Sequence, residues 1–271
     1  MIALLTGALF LPTPAVFLII PLLSSLMLWE CYRMLAGGGF ANFPVTGVVG
    51  GAVLILGTAA AYLFGCEPGT VATVEAVLLA GIIFAVFIRQ MLQKQGAHPI
   101  TQLAVTLFGI AYIPFFFNFY TKLLLEWSTP EMDGRHLLFY MILIVKVTDM
   151  SAYFTGCSIG KHKLIPRISP AKTWEGCIGG VLGGLLTSLI FWAVMNGQIG
   201  PVRFSVAHAI LLGILLPVIG IAGDLIESLL KRAVDVKDSG HLLKGMGGIM
   251  DVLDSLLFAA PAFYLFIRLI Q

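Results

Sequence analysis

Acidic residues at helical spacing inside apolar stretches are the part of this sequence that most clearly suggests chemistry. Three pairs of charged residues are each separated by three positions, a spacing that places both members on one face of a helix. They are Lys146 with Asp149, Asp224 with Glu227, and Asp251 with Asp254. A charge at bilayer depth costs roughly 2.5–3.5 kcal/mol on insertion scales, so each of these residues needs a compensating partner.

Two interpretations of these pairs are open. Ion pairs between helices would neutralise the charges and would be purely structural. However, two pairs of carboxylates that meet only Lys146 leave an excess of negative charge. Hard divalent cations bind carboxylate oxygens, and water and substrate phosphates complete their coordination. The excess therefore predicts a Mg²⁺ site, and whether a second cation joins it stays open.

Basic residues and glycines lie beside these carboxylates. The segment between the last two apolar stretches carries the cations Lys231, Arg232, Lys237 and Lys244. Gly247 and Gly248 open the stretch that follows, and glycine lets a backbone approach an anionic ligand closely. Amides at a helix N-terminus also favour phosphate. Cations on phosphates and carboxylates on a metal are how a protein holds a metal–polyphosphate complex.

A second basic segment, 157–173, precedes another apolar stretch. Its cations, which would suit an anionic lipid headgroup or a chain of phosphates, are Lys161, Lys163, Arg167 and Lys172. Ser169 or Thr173 could instead cap the following helix, and Glu175 in its first turn would suit the helix dipole. Capping explains these three residues without any ligand, but it does not explain the four cations.

The elements that carry these residues must be membrane helices. Of the 271 residues, 59% are hydrophobic and 11% are charged, whereas soluble domains carry about 25% charged residues. The apolar stretches are about 20 residues long and continuous rather than alternating, which indicates helices instead of a barrel. A net charge of +2 is too small to suggest nucleic acid as a partner. The four scattered cysteines suggest neither a zinc site nor a disulfide framework.

The predicted fold is an all-α, polytopic transmembrane helix bundle of about nine segments, whose cytoplasmic loops form a polar site. The segments are 2–11, 15–34, 45–64, 71–89, 100–121, 136–156, 174–195, 204–226 and 250–270. The first is too short to cross alone, so we predict a retained segment paired with the second as a hairpin. We expect a single integral membrane domain over 1–271, with weakly specified helices in 1–135 and the catalytic helices and loops in 136–271.

The distribution of basic residues orients this bundle. Under strict alternation of the segments, eleven basic loop residues fall on one side and four on the other. The positive-inside rule makes the richer side cytoplasmic. Both basic segments, 157–173 and 227–249, then face the cytosol and its nucleotides.

Together these motifs resemble the phosphatidate cytidylyltransferase family, also called CDP-diacylglycerol synthase, in its bacterial form. The C-terminal signature of that family is matched at Ser228, Lys231, Arg232, Lys237, Asp238, Gly247, Gly248, Asp251 and Asp254. Upstream, the stretches 149–156 and 169–176 are similar to two further family motifs. The resemblance is specific over roughly 145–260, and the first half of the chain matches only in being hydrophobic.

The resemblance implies a Mg²⁺-dependent transfer of CMP from CTP to phosphatidic acid, giving CDP-diacylglycerol and pyrophosphate. It implies a bacterial inner membrane enzyme whose active site faces the cytoplasm, and homodimers are common in the family. On this interpretation Asp224 and Asp251 carry the metal, supported by Asp149, Glu227 and Asp254. The cations that would neutralise phosphates are Lys172, Lys231, Arg232 and Lys237, of which Lys172 and Lys237 are also assigned to catalysis. The remaining residues assigned to substrate binding are Ser169, Ser228, Asp238, Gly247 and Gly248.

Two positions depart from the family signature. Met246 stands where the family has histidine, and Val252 stands where it has arginine. We expect either that His241 and Lys244 compensate for these lost donors, or that activity is lower or altered. Two alternatives therefore stay open: a CTP-dependent transferase acting on another lipid phosphate or an isoprenoid alcohol, and an ion-coupled transporter. Transporters usually have related halves, and no internal repeat is visible in this sequence.

Overall fold

The computed structural model describes residues 13–93, 98–128, 134–240 and 247–271. Most of these residues form helices: α1 (Thr13–Gly37), α2 (Pro44–Leu63), α3 (Pro68–Met91), α4 (Pro99–Tyr112), α5 (Pro114–Leu125), α6 (Arg135–Ile159), α7 (Trp174–Val194), α8 (Val206–Ala233) and α9 (Ile249–Ile270). Two short antiparallel hairpins join strands β1 (Lys163–Ile165) to β2 (Ser169–Thr173) and β3 (Gln198–Ile199) to β4 (Val202–Arg203).

These helices confirm the predicted all-α membrane bundle. Within the described residues, eight segments are long and apolar enough to cross a bilayer, and α4 with α5 counts as one of them. They coincide with eight of the nine predicted segments, and the predicted segment 2–11 lies outside the described residues. The clearest difference at a boundary is α8, which continues to Ala233 instead of ending near 226.

Proline sets the start of four consecutive helices. Pro44, Pro68, Pro99 and Pro114 occupy the first position of α2, α3, α4 and α5. Proline suits this position because its missing N–H would have no partner in the first turn. It also disfavours helical geometry in the preceding residue, so the predicted segment 100–121 is broken between Tyr112 and Pro114.

The chain divides into two compact units. The unit we call N-terminal comprises Pro12–Glu126 and Lys231–Val252, and the unit we call C-terminal contains Trp127–Leu230 and Leu253–Gln271, as far as these residues are described. The prediction of a single integral membrane domain stays a prediction.

In the N-terminal unit, a tyrosine fills the space left by two glycines. Tyr32 on α1 is buried against Gly47 on α2 and Gly109 on α4, and a Cβ atom at either glycine would overlap its ring. The Tyr32 hydroxyl donates a hydrogen bond to the carbonyl oxygen of Thr106 at 2.6 Å. Small residues at helix contacts let membrane helices approach closely, because lipid tails give no hydrophobic drive for association.

The same unit contains a buried ion pair that the sequence interpretation did not single out. Lys122 Nζ on α5 lies 2.6 Å from Glu75 Oε2 on α3. The amide of Asn118 donates to Glu75 Oε1 at 2.9 Å, so both oxygens of this carboxylate have partners. The pair is neutral as a whole, which makes its burial tolerable.

In the C-terminal unit, helices α6 and α7 pack through small residues. Gly176, Gly180 and Gly184 recur every four residues on α7 and are buried. A Cβ on Gly176 would lie 2.9 Å from the carbonyl oxygen of Ala152 on α6, and one on Gly180 would lie 3.0 Å from the Ala152 Cβ. This close contact positions the part of α6 that carries Lys146 and Asp149.

Candidate active site

Three carboxylates come together where α8 and α9 meet in the C-terminal unit. One oxygen each from Asp224, Glu227 and Asp254 lies within 4.8 Å of the others. Glu227 and Asp254 are buried, whereas the Asp224 side chain is 34% exposed. The helices approach this closely at Gly223, where a Cβ would lie 2.8 Å from the carbonyl oxygen of Asp254. We call Asp224, Glu227 and Asp254 the acidic cluster.

A buried lysine lies next to the acidic cluster. Lys146 on α6 is 3% exposed, and its Nζ lies 3.0 Å from Asp149 Oδ2 and 2.9 Å from Ser255 Oγ. The Ser255 hydroxyl also donates to Asp149 Oδ2 at 2.9 Å, which closes a triangle of polar atoms. Lys146, Asp149 and Asp224 are all near enough to Asp254 to interact with it electrostatically.

The hairpin of β1 and β2 delivers a second cation to this region. Lys172 on β2 places its Nζ 2.7 Å from Asp224 Oδ2. Thr173 follows it and accepts a hydrogen bond from the Gly176 amide at 3.1 Å, so Thr173 caps α7 as one of the two predicted alternatives. Ser169 pairs with Ile165 at the other end of β2. Ser228 donates to Asp224 Oδ1 at 3.4 Å, one helical turn away on α8.

These side chains open onto a cleft of about 360 Å³ within the C-terminal unit. Asp149, Lys172 and Asp224 supply its charged groups, and Tyr153 and Ile221 belong to its apolar lining. A cleft with both carboxylates and an ammonium group can receive a cation and an anion side by side. That combination suits a metal-bound phosphate.

Asp251 makes a different set of contacts, all of them in the N-terminal unit. Its Oδ1 lies 2.8 Å from Lys231 Nζ, and its Oδ2 accepts from the amide of Gly248 at 2.7 Å and from the hydroxyl of Ser239 at 3.0 Å. Gly247 has a positive φ of 82°, and a Cβ there would lie 2.5 Å from Asp251 Oδ2. The carboxylate thus holds the amide that the sequence interpretation offered to phosphate. The assignment of Asp251 to the metal stays a prediction.

The sequence interpretation missed one carboxylate near the same helix terminus. Glu30 on α1 is 4% exposed, and its Oε2 accepts a hydrogen bond from the Met250 amide at 3.0 Å. A Cβ on Gly240 or Gly248 would lie 2.6 Å from an oxygen of Glu30. A single acidic residue inside the apolar segment 15–34 was the signal that could have found it, since intramembrane charges are expensive.

The other predicted site residues are more exposed or lie outside the described chain. Arg232 donates to the carbonyl oxygen of Val236 at 3.3 Å, and Lys237 and Asp238 are exposed. Of the two departures from the family signature, Val252 is buried with 8% exposure. Met246, together with His241 and Lys244, lies outside the described residues.

Comparisons with known proteins place this arrangement in a family. A family model described as the cytidylyltransferase family matches residues 1–270. The chain is 41% identical to the phosphatidate cytidylyltransferase of Bacillus subtilis (strain 168) over 165 residues, which are 61% of this chain and 58% of that protein. It is 38% identical to the phosphatidate cytidylyltransferase of Haemophilus influenzae over 154 residues, covering 57% of this chain and 53% of that one.

A third relative has no described activity. The uncharacterized protein YnbB of Escherichia coli (strain K12) is 39% identical over 143 residues, which are 52% of this chain and 45% of YnbB. The matched region is about half the length of these curated relatives.

Proposed function

Because this chain belongs to the cytidylyltransferase family, we propose that it transfers CMP from CTP to phosphatidic acid, giving CDP-diacylglycerol and pyrophosphate. We place this activity in the bacterial inner membrane, with the site facing the cytoplasm. The relatives named phosphatidate cytidylyltransferase support the choice of lipid substrate. A homodimer stays a prediction from the family resemblance.

The observation that carries the proposal is the acidic cluster beside the Lys172–Asp224 ion pair. A set of carboxylate oxygens within 4.8 Å of one another fits a hard divalent cation such as Mg²⁺. Asp224, Glu227 and Asp254 would hold this ion, which would draw charge from the phosphates of a bound nucleotide. Lys172 is positioned to attract an anionic group entering the cleft, because its ammonium stands at the cleft wall.

The proposed reaction needs electrostatic stabilisation more than it needs a base. An oxygen of the lipid phosphate attacks the α-phosphorus of CTP, the new P–O bond forms, and the bond to the β-phosphate oxygen breaks to release pyrophosphate. A phosphate monoester carries about 1.5 to 2 negative charges at neutral pH, so the attacking oxygen is already deprotonated. The protein must offset repulsion between two anions, which fixed cations and a metal do.

One observation favours a second candidate, a transferase that uses a different lipid phosphate. Val252 is an aliphatic, buried residue where the family signature has arginine, so this position supplies no guanidinium to a phosphate. An acceptor with a different headgroup environment would not need that donor. An isoprenoid phosphate is the acceptor class to compare with phosphatidic acid.

The test is an assay of the purified full chain in lipid–detergent micelles with α-³²P-labelled CTP, Mg²⁺ and phosphatidic acid. We expect labelled CDP-diacylglycerol and a loss of roughly 10²–10³-fold in rate for Asp224→Asn, as when one electrostatic group of a transition state is removed. Glu67→Gln is the matched control, because Glu67 is an exposed carboxylate at the start of α3.

Three results would count against the proposal. If no labelled lipid forms with phosphatidic acid, this acceptor is wrong, and label in an isoprenoid phosphate would support the second candidate. Equal rates for Asp224→Asn and the wild type would remove the acidic cluster from the reaction. An equal loss in Glu67→Gln would show a general effect of losing a carboxylate.

A further inference from the structure

We propose that the ammonium group of Lys146 is a built-in cation of the acidic cluster, so that this site takes one divalent ion and no second metal. The inference rests on the proposed metal site and deepens it. It concerns the number of cations the site accepts, which the sequence left open.

The geometry places this lysine at the cluster and away from solvent. Its Nζ contacts Asp149 Oδ2 and Ser255 Oγ at 3.0 Å and 2.9 Å, and the residue is 3% exposed. Ser255 is the next residue after Asp254, and its own amide donates to Asp254 Oδ1 at 2.5 Å. The lysine is therefore linked to one member of the acidic cluster through a single serine.

The formal charges of the described groups around the cleft support a single metal. Four carboxylates lie there, those of Asp149, Asp224, Glu227 and Asp254. Two ammonium groups, those of Lys146 and Lys172, contact Asp149 and Asp224. Four negative and two positive charges leave a charge of −2, which one divalent cation neutralises. Two divalent ions would leave an excess of +2 at a buried site, before any substrate binds.

A purely structural ion pair is the competing explanation for Lys146. The pair of Lys122 and Glu75 in the N-terminal unit shows what that looks like: one lysine meets one carboxylate, and a neutral amide completes the contacts. Lys146 differs because its charge acts on Asp254 as well as on its direct partner Asp149. Lys122 is therefore the matched control for Lys146.

The experiment counts bound Mn²⁺ as a probe for Mg²⁺. The full chain in detergent is stripped of metal and titrated with Mn²⁺, and free Mn²⁺ is measured by electron paramagnetic resonance, with K⁺ or a bulky organic cation as the salt. For the wild type we expect one Mn²⁺ per chain and the same Kd in both salts. For Lys146→Met we expect either a second bound Mn²⁺ or a Kd that changes roughly tenfold between the salts, since a nearby charge is gone.

Two further variants separate charge from packing. Lys146→Arg keeps the positive charge and should retain one Mn²⁺ and indifference to K⁺. Lys122→Met removes a buried lysine far along the chain from the acidic cluster and should bind Mn²⁺ as the wild type does. If Lys146→Met does not fold, the wild-type stoichiometry and its response to K⁺ still decide the matter.

Each outcome bears on a stated claim. Two Mn²⁺ per wild-type chain, or a wild-type Kd that depends on K⁺, would overturn the inference and leave the proposed reaction standing. Lys146→Met that binds Mn²⁺ like the wild type would also overturn it. No Mn²⁺ bound by the wild type would instead remove the metal from the proposed function. None of these measurements uses CTP or lipid, so a failed transfer reaction would not mimic them.

Discussion

Asp251 secures the N-terminal end of α9 by folding its carboxylate back onto the chain before it. It accepts from the Gly248 amide and from Ser239, and it pairs with Lys231. This arrangement requires glycine at position 247, because φ is positive there and a side chain would press on the carboxylate. A carboxylate at a helix start also interacts favourably with the helix dipole.

We therefore expect Gly247→Ala to destabilise the protein by more than the backbone strain alone. A left-handed conformation costs a non-glycine residue roughly 1–2 kcal/mol. Gly65→Ala is the matched control, since Gly65 has a φ of +75° with open space around its Cα. Unfolding in mixed micelles should show a larger loss for Gly247→Ala, and equal losses would contradict the contact with Asp251.

At this scale the sequence indicated which residue types matter but could not distinguish between neighbours. Asp251 and Asp254 are identical in type and three positions apart on one helix, so spacing gives them equal weight. Their contacts differ: Asp254 joins the acidic cluster, and Asp251 bonds to Lys231, Ser239 and Gly248. That difference depends on the backbone angle of Gly247 and on which helix packs nearby, and neither is encoded in a spacing rule.

Among the elements, the long apolar helices were the most predictable part of the fold. Continuous hydrophobicity over about 20 residues has few alternatives in a membrane, because the backbone must satisfy its own hydrogen bonds. The hairpin of β1 and β2 was not predicted, since strands of three and five residues carry too little pattern. The extension of α8 to Ala233 was also missed, although Lys231 and Arg232 in its last turn suit the dipole of a helix end.

The packing of α6 on α7 gives a prediction that belongs to these two elements. Gly176→Ala places a Cβ against the backbone oxygen of Ala152, which cannot rotate away. Overpacking of this kind typically costs 1–3 kcal/mol, so we expect a loss of about that size in the free energy of unfolding. Activity should fall as well, because α6 carries Asp149 into the cleft.

The control for this helix contact is Gly81→Ala on α3. A Cβ there meets no atom within 4 Å, and alanine is favoured over glycine in a helix by roughly 0.8–1 kcal/mol. Chemical denaturation of the two variants side by side should give opposite signs. A stabilised Gly176→Ala would mean that α6 and α7 are less closely packed than the structure shows.

For the whole molecule, the arrangement of charge predicts which side of the membrane each loop occupies. Two native cysteines can report it: Cys157, which is exposed near the end of α6, and Cys66, which is partly exposed after α2. Strict alternation places Cys157 on the basic, cytoplasmic side and Cys66 on the opposite side. These positions follow from the sequence and do not depend on how the helices pack.

We expect a membrane-impermeant maleimide to label Cys66 in intact spheroplasts and Cys157 only in inverted vesicles. Single-cysteine variants that retain either residue keep the two signals apart, and each serves as the control for the other. Labelling of Cys157 in intact spheroplasts would reverse the orientation and remove the site from contact with cytosolic nucleotides.

The cleft also has a property that none of its charged groups confers. Cys157 and Cys177 both belong to its walls. Two sulfur atoms inside one small cavity make the cavity addressable by covalent reagents, since a ligand bearing a mild electrophile could be anchored there after it binds. The polar chemistry of the site would then select the reagent, and a neighbouring thiol would make its occupancy permanent.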